Sequence, residues 1–107
     1  MQIRTIPLSC ATHENNAYEQ TKQIIKNIEM VLLKINASLS DVVRTRIFVT
    51  DILDWKQIGK AHQEAFGDTL PAATMVEVKG LIRPEFRVEM EADAVVFYTK
   101  PFSVSNN

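Results

Sequence analysis

The feature of this sequence that most constrains its fold is the alternation of side chains in three segments rich in β-branched residues. These segments are residues 41–50, 72–79 and 87–98. Because successive side chains of a strand point to opposite faces of a sheet, each segment can be divided by parity. One set is predominantly apolar and is predicted to lie beneath helices: Val43, Thr45, Ile47, Val49, Thr74, Val76, Val78, Val88, Met90, Ala92, Ala94 and Val96.

The other set carries charges of both signs and is predicted to form the opposite face of the sheet. It contains Arg44, Arg46, Ala73, Met75, Glu77, Arg87, Glu89, Glu91 and Asp93. Such a face is either the solvated side of an open sheet or the lining of an oligomer, in which the arginines pair with the carboxylates. Parity alone favours neither interpretation over the other.

Two amphipathic helices are predicted between the strands. In residues 17–35 the inward positions recur with a period near 3.6 residues. Asn15 or Asn16 is a suitable N-cap for this helix, and Asn36 can adopt the left-handed conformation that ends it. The positions predicted to face inward are Thr21, Ile24, Ile25, Ile28, Val31, Leu32 and Ile35.

The second helix is predicted to begin after Asp54, an N-cap residue that forms a capping box with Gln57. Gly67 is well placed to end the helix. Its predicted inner stripe contains Trp55, Ile58, Ala61, His62, Ala65 and Phe66.

The element order that results is β-α-β-α-β-β, with residues 2–10 as a short edge strand or an irregular lead-in. This order indicates an α+β fold in which two helices cover one face of a single sheet. A chain of 107 residues allows one domain. Residues 1–100 are predicted to form that domain and residues 101–107 a disordered tail.

Composition argues against several classes of function. The net charge is −1 and the charges of both signs are interspersed, so a nucleic-acid partner is not favoured, nor is an anionic membrane. Apolar runs such as Met30–Leu33 are far too short to cross a bilayer. The single Cys10 and the absence of a secretory signal indicate a cytoplasmic protein. Cys10 and His13 have ligand-like spacing, but no second pair of ligands exists, so neither a metal nor another cofactor is predicted.

Two stretches resemble the C-terminal signature of the reactive intermediate deaminase family, also called the Rid or YjgF family. Residues 71–78, P-A-A-T-M-V-E-V, are similar to the family's P-A-R-S/T-x-V-E-V. Residues 87–92, R-V-E-M-E-A, are similar to its V/I-E-I-E-A. Residues 41–51 are similar to its D-V-V-K-T-T-V-F-L-T-D strand. The helix at 18–33 matches the family through Gln20, Thr21, Asn27, Ile28 and Val31, so the resemblance covers about residues 17 to 96.

This resemblance implies a chorismate-mutase-like fold, with two helices on one face of a mixed sheet and three copies joined into a trimeric barrel. It also implies ligand sites in the clefts between subunits, where family members hydrolyse 2-enamino or 2-imino acids to 2-oxo acids and ammonia. Glu89 matches the glutamate that orients a water molecule. Ala73, Thr74 and Met75 match the substrate-binding segment. The remaining charged positions, Arg44, Arg46, Glu77, Arg87, Glu91 and Asp93, would line the subunit interface.

The chain departs from the family pattern in two places. Ala73 stands where the family has the arginine that binds the substrate carboxylate, and an alanine cannot make that bidentate contact. Arg44, Arg46, Arg83 and Arg87 are the candidates to replace it. At the front, only Ile6-Pro7-Leu8 resembles the family's cleft-wall segment and a first hairpin is missing, so a more open pocket is expected.

Three functional hypotheses are consistent with the sequence. The first is a Rid-like hydrolase. The second, which Ala73 favours for the usual substrates, is a trimer that binds a small metabolite, such as a carboxylate, without turnover. The third is a ribonuclease or translation inhibitor, and the near-neutral charge gives it the least support.

Overall fold

The computed structural model describes residues 16–97 and, by backbone alone, residues 2–9. The strands are β1 (Gln2–Ser9), β2 (Val42–Val49), β3 (Ala72–Glu77) and β4 (Val88–Val96), and the helices are α1 (Ala17–Leu33) and α2 (Trp55–Phe66). Single turns of 3₁₀ helix, Leu39–Asp41 and Ile52–Asp54, precede β2 and α2. The predicted order β-α-β-α-β-β is confirmed.

The four strands form one mixed sheet in the order β1-β4-β2-β3. β4 lies antiparallel to both β1 and β2, whereas β3 runs parallel to β2. A parallel pair needs a crossover connection, and α2 supplies it. Both helices cover the same face, so the predicted α+β mixed sheet with two helices on one face is confirmed.

The core lies between the helices and the covered face of the sheet. The α1 side chains Ile24, Ile28 and Leu32 are fully buried there, as the 3.6-residue period predicted. They pack in one apolar cluster with Val49 and Met90 of the sheet. Burying a large aliphatic side chain stabilises a fold by about 1.5–3 kcal/mol, so this layer is the main source of stability.

The predicted start of α1 is confirmed, its end lies two residues before the predicted Ile35, and the ends of α2 are confirmed only in part. The Asn16 side chain accepts a hydrogen bond from the Glu19 amide at 2.9 Å, and Asn36 has a φ of 59°. Asp54 precedes α2 as predicted but makes no capping hydrogen bond, so the predicted capping box is wrong. Its carboxylate instead pairs with an arginine described below. Trp55 was predicted to face inward, yet its exposed fraction is 53%.

A β-bulge in β2 overturns one parity assignment. Opposite β4, Val42 pairs with Ala94 and Arg44 with Asp93, so Val43 is an extra residue in β2. Val42 is therefore buried, whereas Val43, predicted to lie beneath the helices, is 48% exposed. From Arg44 onward the predicted alternation of β2 holds.

The parity predicted for β3 is also wrong. In the register with β2, Met75 lies beside the buried Ile47 and Glu77 beside the buried Val49. Met75 packs against the core, and Val76 points to the other face with 42% of its surface exposed. Apolar residues occur at both parities of this edge strand, so alternation gives no clear signal for it.

Among the described residues, neither helix is both long enough and apolar enough to cross a membrane. Cys10, His13 and the tail predicted for residues 101–107 lie outside the described residues.

Candidate functional site

The sheet face turned away from the helices carries the candidate site, and we call it the open face. Strands β4, β2 and β3 build it in three cross-strand rows. The rows are Glu89–Phe48–Val76, Glu91–Arg46–Thr74 and Asp93–Arg44–Ala72. The mixed charge predicted for this face is therefore present on β2 and β4, whereas β3 contributes small, apolar or hydroxyl side chains.

Arg46 lies at the centre of the open face and is held by two carboxylates. Its Nε donates to Glu91 Oε1 at 2.8 Å. Its Nη1 and Nη2 donate to the two carboxylate oxygens of Asp93 at 2.9 and 3.0 Å. These hydrogen bonds raise the pKa of the Arg46 guanidinium, and those that it donates to Asp93 have the larger effect. Arg46 is thus committed to its neighbours and does not replace the missing clamp arginine within one protomer.

Two charged groups of the open face remain unpaired within the described part of the chain. The Arg44 guanidinium has no ion pair there, and the Glu89 carboxylate has no hydrogen-bond partner. Arg44 lies opposite Asp93, four positions along β4 from Glu89. At about 3.3 Å per residue, the two backbones are roughly 13 Å apart along the strand. The two groups therefore start from opposite ends of the open face.

Glu89 has a mainly apolar setting. The residues beside it in β4, Val88 and Met90, are fully buried on the helix side. Across the strand it faces the half-buried ring of Phe48, with Val76 beyond that ring. An ionised carboxylate is a hydrogen-bond acceptor only, so this group can hold a water molecule against an apolar wall.

The predicted substrate-binding segment is divided between the two faces of the sheet. Thr74 lies on the open face opposite Arg46, whereas Ala73 lies on the helix side opposite Thr45. Met75 also faces the helix side, half-buried against the core. Sequence reasoning missed Phe48, which shares its parity with Arg46 and so could have been found. It also missed Val76, because of the error in β3.

Glu77 and Arg87 are not where the parity argument placed them. Glu77 lies on the helix side, where its Oε1 accepts a hydrogen bond from the Ile52 amide at 2.8 Å. Arg87 precedes β4, and its guanidinium pairs with Asp54 at the start of α2 rather than with a carboxylate of the sheet. The face predicted for these two residues is therefore wrong, whereas pairing of arginines with carboxylates inside an oligomer stays a prediction.

The helix side offers a different kind of concavity. A groove of about 250 Å³ lies between α1 and α2. Ile25 and Ala61 form part of its apolar floor. The charged residues at its rim are Lys22, Lys26 and Glu29 of α1 and Glu64 of α2. Within residues 2–9 and 16–97, no cluster of three His, Cys, Asp or Glu side chains could hold a metal ion. We take the open face as the better candidate because it holds Glu89, the residue predicted to orient a water molecule, against the apolar wall of Phe48 and Val76.

Comparison with known proteins agrees with this architecture. Residues 5–96 match the family described as Endoribonuclease L-PSP. A RutC family protein of Pyrococcus abyssi is 37% identical over 92 residues, which are 83% of this chain and 72% of that protein. The 3-aminoacrylate deaminase RutC of Acinetobacter baylyi is 32% identical over 84 residues, 78% of this chain and 66% of that protein.

Solved structures share the fold as well. A member of the YjgF/YER057c/UK114 family from Mycobacterium tuberculosis is 43% identical and superposes with a TM-score of 0.80. The match covers 85% of this chain and 75% of that one. The fold is the one these relatives share, two helices on a mixed sheet, and the family match covers residues 5–96. This chain belongs to the Endoribonuclease L-PSP family, also called the Rid or YjgF family.

Proposed function

We propose that this protein is a Rid-like homotrimer that hydrolyses 2-imino or 2-enamino acids to 2-oxo acids and ammonia, in clefts between its subunits. The observation that carries the proposal is the Glu89 carboxylate. It lies on the open face beside Phe48, has no partner within the described residues, and stands at the first glutamate of V-E-M-E-A. The likeness to a 3-aminoacrylate deaminase supports hydrolytic deamination of an enamine that carries a carboxylate, although that substrate bears its amino group on the third carbon rather than the second.

The chemistry needs one well-placed acceptor. A 2-enamino acid first shifts a proton to become the imine. The oxygen of a water molecule held by Glu89 then bonds to the imine carbon, and the carboxylate takes a proton from that water. That proton passes to the imine nitrogen, which gives a tetrahedral carbon bearing one hydroxyl and one amino group. The hydroxyl proton then moves to the amino nitrogen through the same carboxylate, the C–N bond breaks, ammonia leaves and the carbon becomes a carbonyl. The products balance one imine and one water, and no cofactor is needed.

The geometry of the open face supports sites shared between subunits. Among the described residues Arg44 has no ion pair and Glu89 no hydrogen bond, and their backbones lie roughly 13 Å apart along the strands of one protomer. In a trimer whose open faces meet, Arg44 of one subunit could approach the carboxylates of another, and each cleft would gain a cation. Such pairing is required if these charges are to be buried by association.

The cytoplasmic location indicated by the lone Cys10 remains a prediction.

A second candidate function has one observation in its favour. Ala73 cannot bind a carboxylate, and it lies on the helix side of β3 rather than beside Glu89. A trimer that holds a small metabolite without turning it over is consistent with this substitution. Activity on a genuine imine separates this candidate from the hydrolase.

The test generates imines in place with an amino-acid oxidase and follows their hydrolysis. The wild-type protein should accelerate the reaction, and Glu89→Gln should lower the rate by about 10²–10⁴, the usual contribution of a positioned base. Glu29→Gln is the matched control, because it makes the same chemical change on α1, away from the open face. No acceleration by the wild type, or full activity in Glu89→Gln, would reject the hydrolase.

A third variant tests the missing clamp. Ala73 lies on the helix side of the edge strand β3, so an arginine there reaches a cleft only where a neighbouring subunit borders this edge. If the clamp works in this way, Ala73→Arg should raise kcat/KM for imines that carry a carboxylate. A measurement of mass in solution tests the assembly, since a stable monomer is incompatible with sites between subunits.

A further inference from the structure

Arg87 is held at three points by three different parts of the chain. Its amide donates to Gln20 Oε1 at 2.9 Å, and Gln20 Nε2 donates to the carbonyl of Glu85 at 2.9 Å. Its carbonyl accepts a hydrogen bond from the Thr50 amide at 3.2 Å. Its guanidinium is paired with Asp54. α1, the end of β2 and the start of α2 therefore all fix this one residue.

The side chains that hold Arg87 are almost completely buried. Gln20 is 1% exposed and Asp54 is 6% exposed. Both carboxylate oxygens of Asp54 are used, Oδ2 by Nε at 2.9 Å and Oδ1 by Nη2 at 3.1 Å. Hydrogen bonding to the Asp54 carboxylate is the main cause of the raised pKa of the Arg87 guanidinium. A buried glutamine and a buried carboxylate tolerate few alternative arrangements, because each would leave a polar group without a partner.

This anchor lies two residues before Glu89. Arg87 is the residue directly before β4, and its amide and carbonyl are both hydrogen-bonded, so its placement sets where the backbone enters the strand that carries Glu89. No hydrogen bond or ion pair within the described residues orients the Glu89 carboxylate itself. Its position therefore depends on how the backbone enters the strand.

We infer that Asp54 and Gln20 are positioning residues for Glu89, which they aim through the backbone of Arg87. This inference rests on the proposed function, since it concerns the same carboxylate. Neither residue touches the open face site: they act from the covered side of the molecule. A displacement of the water-holding group by about 1 Å can lower a rate by roughly 10²-fold, so small losses of anchoring should be visible in kcat.

The experiment compares Asp54→Asn with Glu85→Gln in the imine assay. Both variants replace a carboxylate of an ion pair with an N···O distance of 2.9 Å by the amide of the same shape. Glu85→Gln retains the backbone carbonyl that Gln20 contacts, so the anchor stays intact. We expect Asp54→Asn to lower kcat by about 10–100-fold with KM changed by less than roughly twofold, and Glu85→Gln to leave both unchanged.

Loss of fold would lower the apparent kcat only in proportion to the unfolded fraction and would also leave KM unchanged, so positioning is recognised by a fall in kcat that exceeds that fraction. Thermal unfolding of each variant gives that fraction directly. Arg87→Lys is the milder second variant, for use if Asp54→Asn does not fold. An active wild type with unchanged kcat in the folded anchor variants overturns the inference alone. An inactive wild type overturns the proposed function, and the positioning role with it.

Discussion

Two ion pairs with the same length but different burial allow a sharp prediction about stability. Arg87–Asp54 and Arg83–Glu85 both have an N···O distance of 2.9 Å. The side chains of the first pair are 31% and 8% exposed, and those of the second are 60% and 22% exposed. Because water screens exposed charges, the length of an ion pair should matter far less than its burial.

The perturbation is Arg87→Met, which keeps most of the aliphatic stem and removes the charge. It leaves the Asp54 carboxylate buried without its cation. Breaking a fully buried pair in this way costs about 3–5 kcal/mol. Since a third of the Arg87 side chain is exposed, we reduce this to about 2 kcal/mol. For a domain of this size the expected loss in Tm is roughly 10 °C.

Arg83→Met is the matched control, since it makes the same change in the same segment of chain. Its ion pair is exposed, and its contact with the Phe86 ring is 5.9 Å from guanidinium to centroid, so the cost should stay below about 1 kcal/mol. Both variants are compared by urea and thermal unfolding at one protomer concentration, because assembly makes Tm depend on concentration. Equal losses of stability would refute the argument from burial.

Two further outcomes follow from the fold. Burial lowers the pKa of His62, whose Nε2 lies 2.8 Å from Thr45 Oγ1. The unfolded chain then binds a proton more readily than the folded one, so this contribution to stability is full above the ordinary histidine pKa and declines as the pH falls below about 6.5. Unfolding between pH 7 and pH 5 should show part of this decline in the wild type and less of it in His62→Gln; identical profiles would contradict the assignment. For the bulge, Val42→Ala should cost about 2 kcal/mol and Val43→Ala less than about 0.5 kcal/mol in urea unfolding, whereas the reverse order would place the wrong valine in the core.

Periodicity predicted the helices and the order of elements well. α1 has a wide apolar stripe, and its core positions such as Ile24 and Ile28 are buried. In β4 every second residue is apolar and buried, so Glu89, Glu91 and Asp93 were placed correctly on the opposite side. Strong, long patterns of this kind leave only one way to bury the chain.

The errors arose where the pattern is short or locally irregular. A bulge shifts parity by one residue, and nothing in the run Val42-Val43 indicates which valine is the extra one. β3 lies at the sheet edge with little burial, so its register depends on β2 rather than on its own side chains. The pairing of Arg87 with Asp54 joins residues 33 positions apart and leaves no local signal.

The segment between β3 and β4 should tolerate changes in its length. Both ends of this segment are hydrogen-bonded to consecutive residues at the end of β2. The Val78 amide donates to the carbonyl of Val49 at 2.7 Å, and the Arg87 carbonyl accepts from the amide of Thr50, directly after the strand. Between these points the chain reaches solvent, and Ile82 is 86% exposed. The cost of closing a loop grows slowly, by only about 0.6 kcal/mol for each doubling of its length. Insertions near Ile82 should therefore leave the sheet undisturbed, which makes this tip a natural place to graft a peptide or an affinity tag.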